Sequence, residues 1–152
     1  MIDEIDFKIL EILQKEGRTK RNELAETVGL SLPAASERLK KLEDSGIIKG
    51  YYARLDHHLL GNDVTAFIIT TVDSSRHFAS FVEHVNNTQE IQECHAITGD
   101  GTHLIKLRTE NTAGLERLLG KIQSWQGVTK TTTSVVLSTS KETSQIKIHT
   151  TK

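Results

Sequence analysis

Two groups of cations stand out in this chain. Arg18, Lys20 and Arg21 precede one short amphipathic segment, and Arg38, Lys40 and Lys41 lie within the next. On a helix running on from Ser31, the residues Ala35, Leu39 and Leu42 recur at i, i+4 and i+7 and form a buried stripe. Pro33, Ala34, Ser36, Glu37, Lys40 and Lys41 then face outward, with Arg38 at the edge. Small residues at the start of that face permit close approach to a surface, and the cations beyond them suit phosphate oxygens. This layout fits the second helix of a helix-turn-helix, whose N-terminal part enters the DNA major groove. Ser36 and Arg38 are placed for base edges or the adjacent phosphates, and Lys40 and Lys41 for the backbone. Glu37 has the wrong sign for a phosphate; it orients a neighbouring cation or accepts from a cytosine amino group. The expected DNA-contacting set is Lys20, Arg21, Ser31, Pro33, Ala34, Ser36, Arg38, Lys40 and Lys41. The plainer alternative is an αα-hairpin with a solvated charged face.

Other reactive side chains form no comparable pattern. His57 and His58 are adjacent, as are Cys94 and His95. Neighbours on a strand point to opposite faces, whereas metal sites use ligands at i, i+3 or i, i+4, or convergent pairs. No metal ligand set is expected. No Ser/His/Asp arrangement has motif context, so no catalytic residue is assigned.

The elements that position the cations can be read in order. Ile2, Ile5, Ile9, Ile12 and Leu13 have helical spacing, widened by Phe7 and Leu10. Asp3 and Asp6 suit a capping box, and Gly17 is expected to close this first helix. Leu24, Ala25 and Val28 give the next helix its apolar side, Gly29 ends it, and Ser31 and Pro33 open the third. Ile47 to Leu55 suggests a strand or ribbon. The turn-rich segment 56–63 is expected to link residues 1–55 to a second domain, 64–152.

That second half changes character. VTAFIITTV from Val64, IQECHAIT from Ile91, HLIKLRT from His103 and VTKTTTSVVLS from Val128 read as strands. HFASFVEHV from His77 and AGLERLLGKIQSW from Ala113 read as helices. The order βαββαβ predicts a ferredoxin-like, α+β arrangement, an antiparallel sheet with both helices on one face. Its other face is rich in β-branched residues and needs a partner, which predicts a dimer. The alternating SQIKIHTT is expected as an edge strand or a reach to a neighbour.

Composition narrows the class. The chain has 152 residues, a net charge of −1 and 36% hydrophobic residues, so any nucleic-acid footprint is local rather than global. The single cysteine excludes a disulfide framework within the chain and fits a reducing cytoplasm. MIDEIDFKIL is acidic and amphipathic, unlike a signal peptide, and no run suits a membrane span.

Over nearly its whole length the chain resembles the Lrp/AsnC family (leucine-responsive and asparagine regulators) of prokaryotic transcription factors. IDFKILEILQKEGR, ELAETVGLS, SERLKKLEDSGIIKGYYARLD, IQECHAITGD and LIKLR carry the resemblance. It implies an N-terminal winged-helix-like helix-turn-helix and a ferredoxin-like domain for an amino acid or related small molecule. It also implies dimers that build octamers or other higher assemblies, and sequence-specific control of transcription. A nucleoid-associated, cytoplasmic protein without an enzyme activity or a cofactor other than the effector is expected. The effector set is then Gly99, Asp100, Gly101, Thr102 and His103, with Thr131 and Thr133 alternating to one face of the fourth strand. Two departures are visible. The family turn reads glycine, acid, any residue, acid, tyrosine, and here Thr102 and His103 replace its last two positions. The fourth strand carries Thr132, Ser138 and Thr139 where relatives often have an arginine and acids. An architectural, nucleoid-type DNA-binding protein without an effector response is the alternative. An enzyme or pure metabolite-binding module would require an inert helix-turn-helix.

Overall fold

The computed structural model describes residues 1–149, which divide into two compact units. Met1–Arg54, with the described residues from Lys141 onward, form the first; Leu55–Ser140 form the second.

The first unit contains α1 (Glu4–Lys15), α2 (Arg21–Val28) and α3 (Leu32–Asp44). Asp3 caps α1 by accepting from the N–H groups of Ile5 and Asp6, and Asp6 accepts in return from the Asp3 N–H, completing the expected capping box. The helix ends at Lys15 with Glu16 as its cap, and the expected stop at Gly17 falls two residues later. Gly29 closes α2 at φ 73°, a left-handed geometry that glycine adopts without steric penalty. Ile9, Leu24, Leu39 and Leu42 are buried together as the core of this unit. Burial of each such side chain is worth about 1.5–3 kcal/mol, so these four contacts, not helix propensity, hold three short helices.

Beyond α3 the expected strand or ribbon over Ile47–Leu55 is not formed; the backbone there is irregular. A strand needs a ladder partner, and no other strand lies among the described residues of this unit. Tyr51 anchors the segment instead, donating to Glu43 Oε1 at 2.9 Å. Burial, reinforced by that bond, pushes its phenol up to about 12. The C-terminal segment also departs from expectation. Gln14 donates to the Ile146 carbonyl at 3.0 Å and accepts from its N–H at 2.6 Å. Residues from Lys141 thus join the helical unit rather than the 64–152 domain, and Leu55 and the 56–63 turn go with the sheet unit. No strand forms over residues 144–149. The last residues of that expected strand, Thr150 and Thr151, lie outside the described residues.

The second unit runs β1 (Val64–Val72), a 3₁₀ turn at Ser75–His77, α4 (Phe78–Asn86), β2 (Ile91–Ala96), β3 (His103–Thr109), α5 (Thr112–Ser124) and β4 (Val128–Val135). The sheet order is β2-β3-β1-β4 with antiparallel neighbours throughout, the ferredoxin-like βαββαβ arrangement. Alternation sends Ala66, Ile68, Thr70 and Val72 of β1, and Ile105 and Leu107 of β3, toward the helices. There they meet Phe81 and Val85 of α4, Leu115, Leu118 and Ile122 of α5, and Trp125. Phe67 and Ile69 face the opposite side and remain exposed. Strand β1 reads as a largely apolar, β-branched run rather than a clean alternation because both of its faces carry apolar side chains.

Candidate nucleic-acid interface and effector turn

The outward face of α3 begins with its cap. Ser31 Oγ accepts from the Ala34 N–H at 3.3 Å, so its first role is to start the helix. Pro33 is exposed, Ala34 and Ser36 are half-buried, and the residues between them present little bulk. Leu32, the first residue of the helix, is 49% exposed. It was not among the expected contacts, although its place off the Ala35–Leu39–Leu42 stripe was legible. An exposed apolar side chain there is suited to a thymine methyl.

The three cations of α3 are held very differently. Lys40 pairs with Asp44 at 2.5 Å, and Lys41 with Glu37 at 2.9 Å, all four side chains being well exposed. The Asp44 bond raises the Lys40 ammonium, and the Lys41 bond holds the Glu37 carboxyl below its usual range. Exposed i, i+4 pairs contribute little in water, so both lysines exchange readily onto phosphate. Arg38 does not share the open position expected of it. Its Nη1 lies 2.8 Å from both oxygens of Asp3 and 3.1 Å from Asp6 Oδ1. The side chain turns across to the start of α1 because that end concentrates two carboxylates. Lys20 and Arg21 are exposed at the start of α2. Lys20 offers no side-chain oxygen to cap α2, and its backbone N–H donates to Glu23 Oε2 at 3.3 Å, so a carboxylate of the chain's own already sits at that helix end.

In the second unit, the turn between β2 and β3 brings Gly99, Asp100, Gly101 and Thr102 together. Gly99 (φ 92°) and Gly101 (φ 87°) are both left-handed, and Asp100 is exposed. A Cβ at Gly101 would collide with the Ile69 side chain, so glycine is required there by space as well as by φ. The Thr102 N–H donates to Thr70 O at 2.8 Å. Its hydroxyl accepts from the Val72 N–H at 3.0 Å and lies 2.8 Å from His103 Nδ1. That hydroxyl is therefore committed to the end of the sheet.

His103 is not part of the open turn. It is 3% exposed, with its ring 4.9 Å from that of Phe78 and 4.7 Å from that of Phe81. Strand alternation from Ile105 and Leu107 sends it inward, and burial pushes its imidazole below the usual histidine range. Thr131 and Thr133 do share one face, but it is the helix side: they pair with Thr70 and Ile68, and Gln123 Nε2 donates to Thr131 Oγ1 at 2.9 Å. With β1 between their strands, Thr131 and His103 are not brought together.

No group of three or more metal-ligating side chains is gathered among the described residues. Cys94 is half-buried, and burial pushes its thiol up. His95 pairs with Glu93 at 3.1 Å.

Two family models match, a winged helix-turn-helix DNA-binding model over residues 2–49 and the Lrp/AsnC ligand binding domain over residues 65–146. The chain belongs to the Lrp/AsnC family. It is 37% identical over 147 residues to the HTH-type transcriptional regulator FL11 of Pyrococcus abyssi, covering 97% of each chain. It is also 37% identical over 152 residues to the leucine-responsive regulatory protein of Escherichia coli K12, covering 98% of this chain and 93% of that one. Among solved structures, a transcriptional regulator from Neisseria meningitidis in complex with L-Met matches with a TM-score of 0.92 and 31% identity, covering 97% of each chain. Lrp/AsnC relatives are transcriptional regulators, so this chain is a DNA-binding regulator with a ligand-binding domain and not an enzyme. Among the described residues no helix is long and apolar enough to cross a membrane.

Proposed function

We propose that this Lrp/AsnC regulator binds double-stranded DNA sequence-specifically through α3, and that an amino acid or related small molecule tunes its DNA occupancy or assembly. The observation that carries the effector reading is the Gly99–Thr102 turn. Its two left-handed glycines leave backbone N–H groups unshielded, which suits a carboxylate, and Asp100 supplies a negative group for an ammonium. The L-Met complex of the N. meningitidis regulator supports an amino acid as the chemical class. Thr131 and Thr133, on the helix-covered face, and the buried His103 lie apart from the open turn and are left out of the proposed pocket.

The protein works as a dimer or a higher assembly of dimers in the cytoplasm, on the nucleoid. Phe67, Ile69 and Val135 are exposed hydrophobic residues of the sheet, and face-to-face packing of two sheets would cover the outer face that Phe67 and Ile69 occupy. A two-fold dimer predicts imperfect palindromic targets.

Calorimetric titration of the twenty amino acids against wild type, Asp100→Ala and Thr102→Asp tests the effector reading. At least one amino acid should bind wild type. Asp100→Ala should weaken it by roughly tenfold or more, the loss of one charge-assisted hydrogen bond. Thr102→Asp should tighten it by restoring the family's second acid. One observation favours the architectural alternative: the Thr102 hydroxyl is already bonded within the sheet and leaves one fewer group for a ligand. Absence of binding by all twenty, with sequence-tolerant DNA protection, would support it.

A further inference from the structure

We propose that Arg38, the cation best placed by sequence to read a base, is instead a positioning residue that fixes the recognition helix against the start of α1. The proposal rests on the reading of α3 as the DNA-recognition helix.

The same two carboxylates do two jobs. Asp3 Oδ1 accepts from the Ile5 and Asp6 N–H groups, and Asp6 Oδ2 accepts from the Asp3 N–H. These bonds hold both side chains still at the first turn of α1. Arg38 Nη1 then donates to both oxygens of Asp3 and to the remaining oxygen of Asp6. The guanidinium therefore joins the middle of α3 to a helix end that is already rigid. Asp3 is held below the usual carboxylate range chiefly by the Arg38 hydrogen bond, and Arg38 is raised in turn by Asp3 and then Asp6.

Burial separates this contact from the lysine pairs on the same helix. Asp6 is a buried residue, and its side chain is 10% exposed, whereas the Asp44 and Glu37 side chains are 64% and 69% exposed. Asp3 is 52% exposed, but if Arg38 swung out to a base edge the Asp6 carboxylate would keep only the Asp3 N–H and lose its cation while nearly buried, which is unfavourable. Lys40 and Lys41 face no such barrier. Arg38 thus sets the angle at which α3 presents Leu32 to Glu37, while the lysines meet phosphates.

The two roles predict opposite results for the acidic partners. Asp3→Asn loosens Arg38 while leaving an oxygen to cap α1. A base-reading Arg38, freed in this way, would bind DNA more tightly; a positioning Arg38 would make binding weaker. The experiment uses the full chain with duplexes enriched from a randomised pool by the wild type. It compares wild type, Asp3→Asn, Arg38→Ala, Arg38→Lys and the Asp3→Asn/Arg38→Ala double variant, each checked for helical content.

Asp3→Asn and Arg38→Ala should each bind the enriched duplex about tenfold more weakly, the scale of a lost charge-assisted contact. The fold-loss should be the same for every single-base substitution of that duplex. The double variant should be no weaker than Arg38→Ala, because the two side chains act as one unit. Arg38→Lys, which keeps one ionic donor, should recover part of the loss. Tighter binding by Asp3→Asn would overturn the proposal, as would an Arg38→Ala loss confined to one base position. If Arg38→Ala does not fold, the Asp3→Asn and Arg38→Lys arms decide alone. DNA bound with full affinity by every variant would also overturn it, and a wild type that enriches no duplex would defeat the DNA reading itself.

Discussion

His103 links stability to pH through a single buried ring. The fold holds its imidazole below the ordinary range by burial, so the folded protein favours the neutral form. The unfolded chain protonates it near about 6.5. Above that value both states are neutral and stability is unpenalised. As pH falls from there toward the lower folded value, the unfolded chain takes up the proton first and stability declines. The urea midpoint of wild type should therefore drop between about pH 7.5 and 5.5, and His103→Gln should flatten that part of the profile. Loss from carboxylates such as Glu110, held at about 2 chiefly by the Thr109 hydroxyl, falls at lower pH and is separable. A midpoint equally pH-dependent in the variant would remove His103 from this account.

The turn between β2 and β3 is an element whose geometry depends on two glycines for different reasons. Gly99 has a left-handed backbone with open space around it, so Gly99→Ala should cost only the conformational strain, about 1–2 kcal/mol. Gly101 has similar strain, and an added methyl would also drive into Ile69 and crowd the Thr70 carbonyl. Overpacking adds about 1–3 kcal/mol, so Gly101→Ala should be clearly the more destabilising of the two in thermal melts. Because Thr102 is tied to β1 through Thr70 and Val72, the damage should reach the end of the sheet. Equal melting temperatures for the two variants would show that the turn relaxes away from β1.

In the proposed assembly, the face of the sheet opposite the helices is where copies should meet. Ile69 is 36% exposed and Phe67 is 38% exposed, side by side in projection on the central strand β1. Placing a charge there should leave the fold intact, since neither side chain enters the helix-covered core, but should prevent two sheets from packing. Ile69→Lys should give a smaller species by light scattering and a shallower salt dependence of DNA binding, because fewer phosphates are engaged per complex. An unchanged molecular mass would mean that another surface joins the copies.

Periodicity and capping were legible in the amino-acid sequence because they are local. Helical spacing of Ala35, Leu39 and Leu42, the Asp3/Asp6 capping box, Gly29 at its left-handed position and the βαββαβ order all depend on residues a few positions apart. The two-unit organisation followed from the change of period between them. Pairings across long separations were not legible. Asp3 and Arg38 are 35 residues apart, and no local rule says that a helix cation will turn inward to a capping carboxylate. Gln14 and Ile146 are 132 residues apart, so the C-terminal segment read as a strand when its backbone is held by a side-chain amide. Likewise, alternation placed Thr131 and Thr133 on one face, but only the pairing of β4 with β1 decided that the face is the one beneath the helices. Local preference chose the elements; packing between distant residues decided which polar groups were left to meet a ligand.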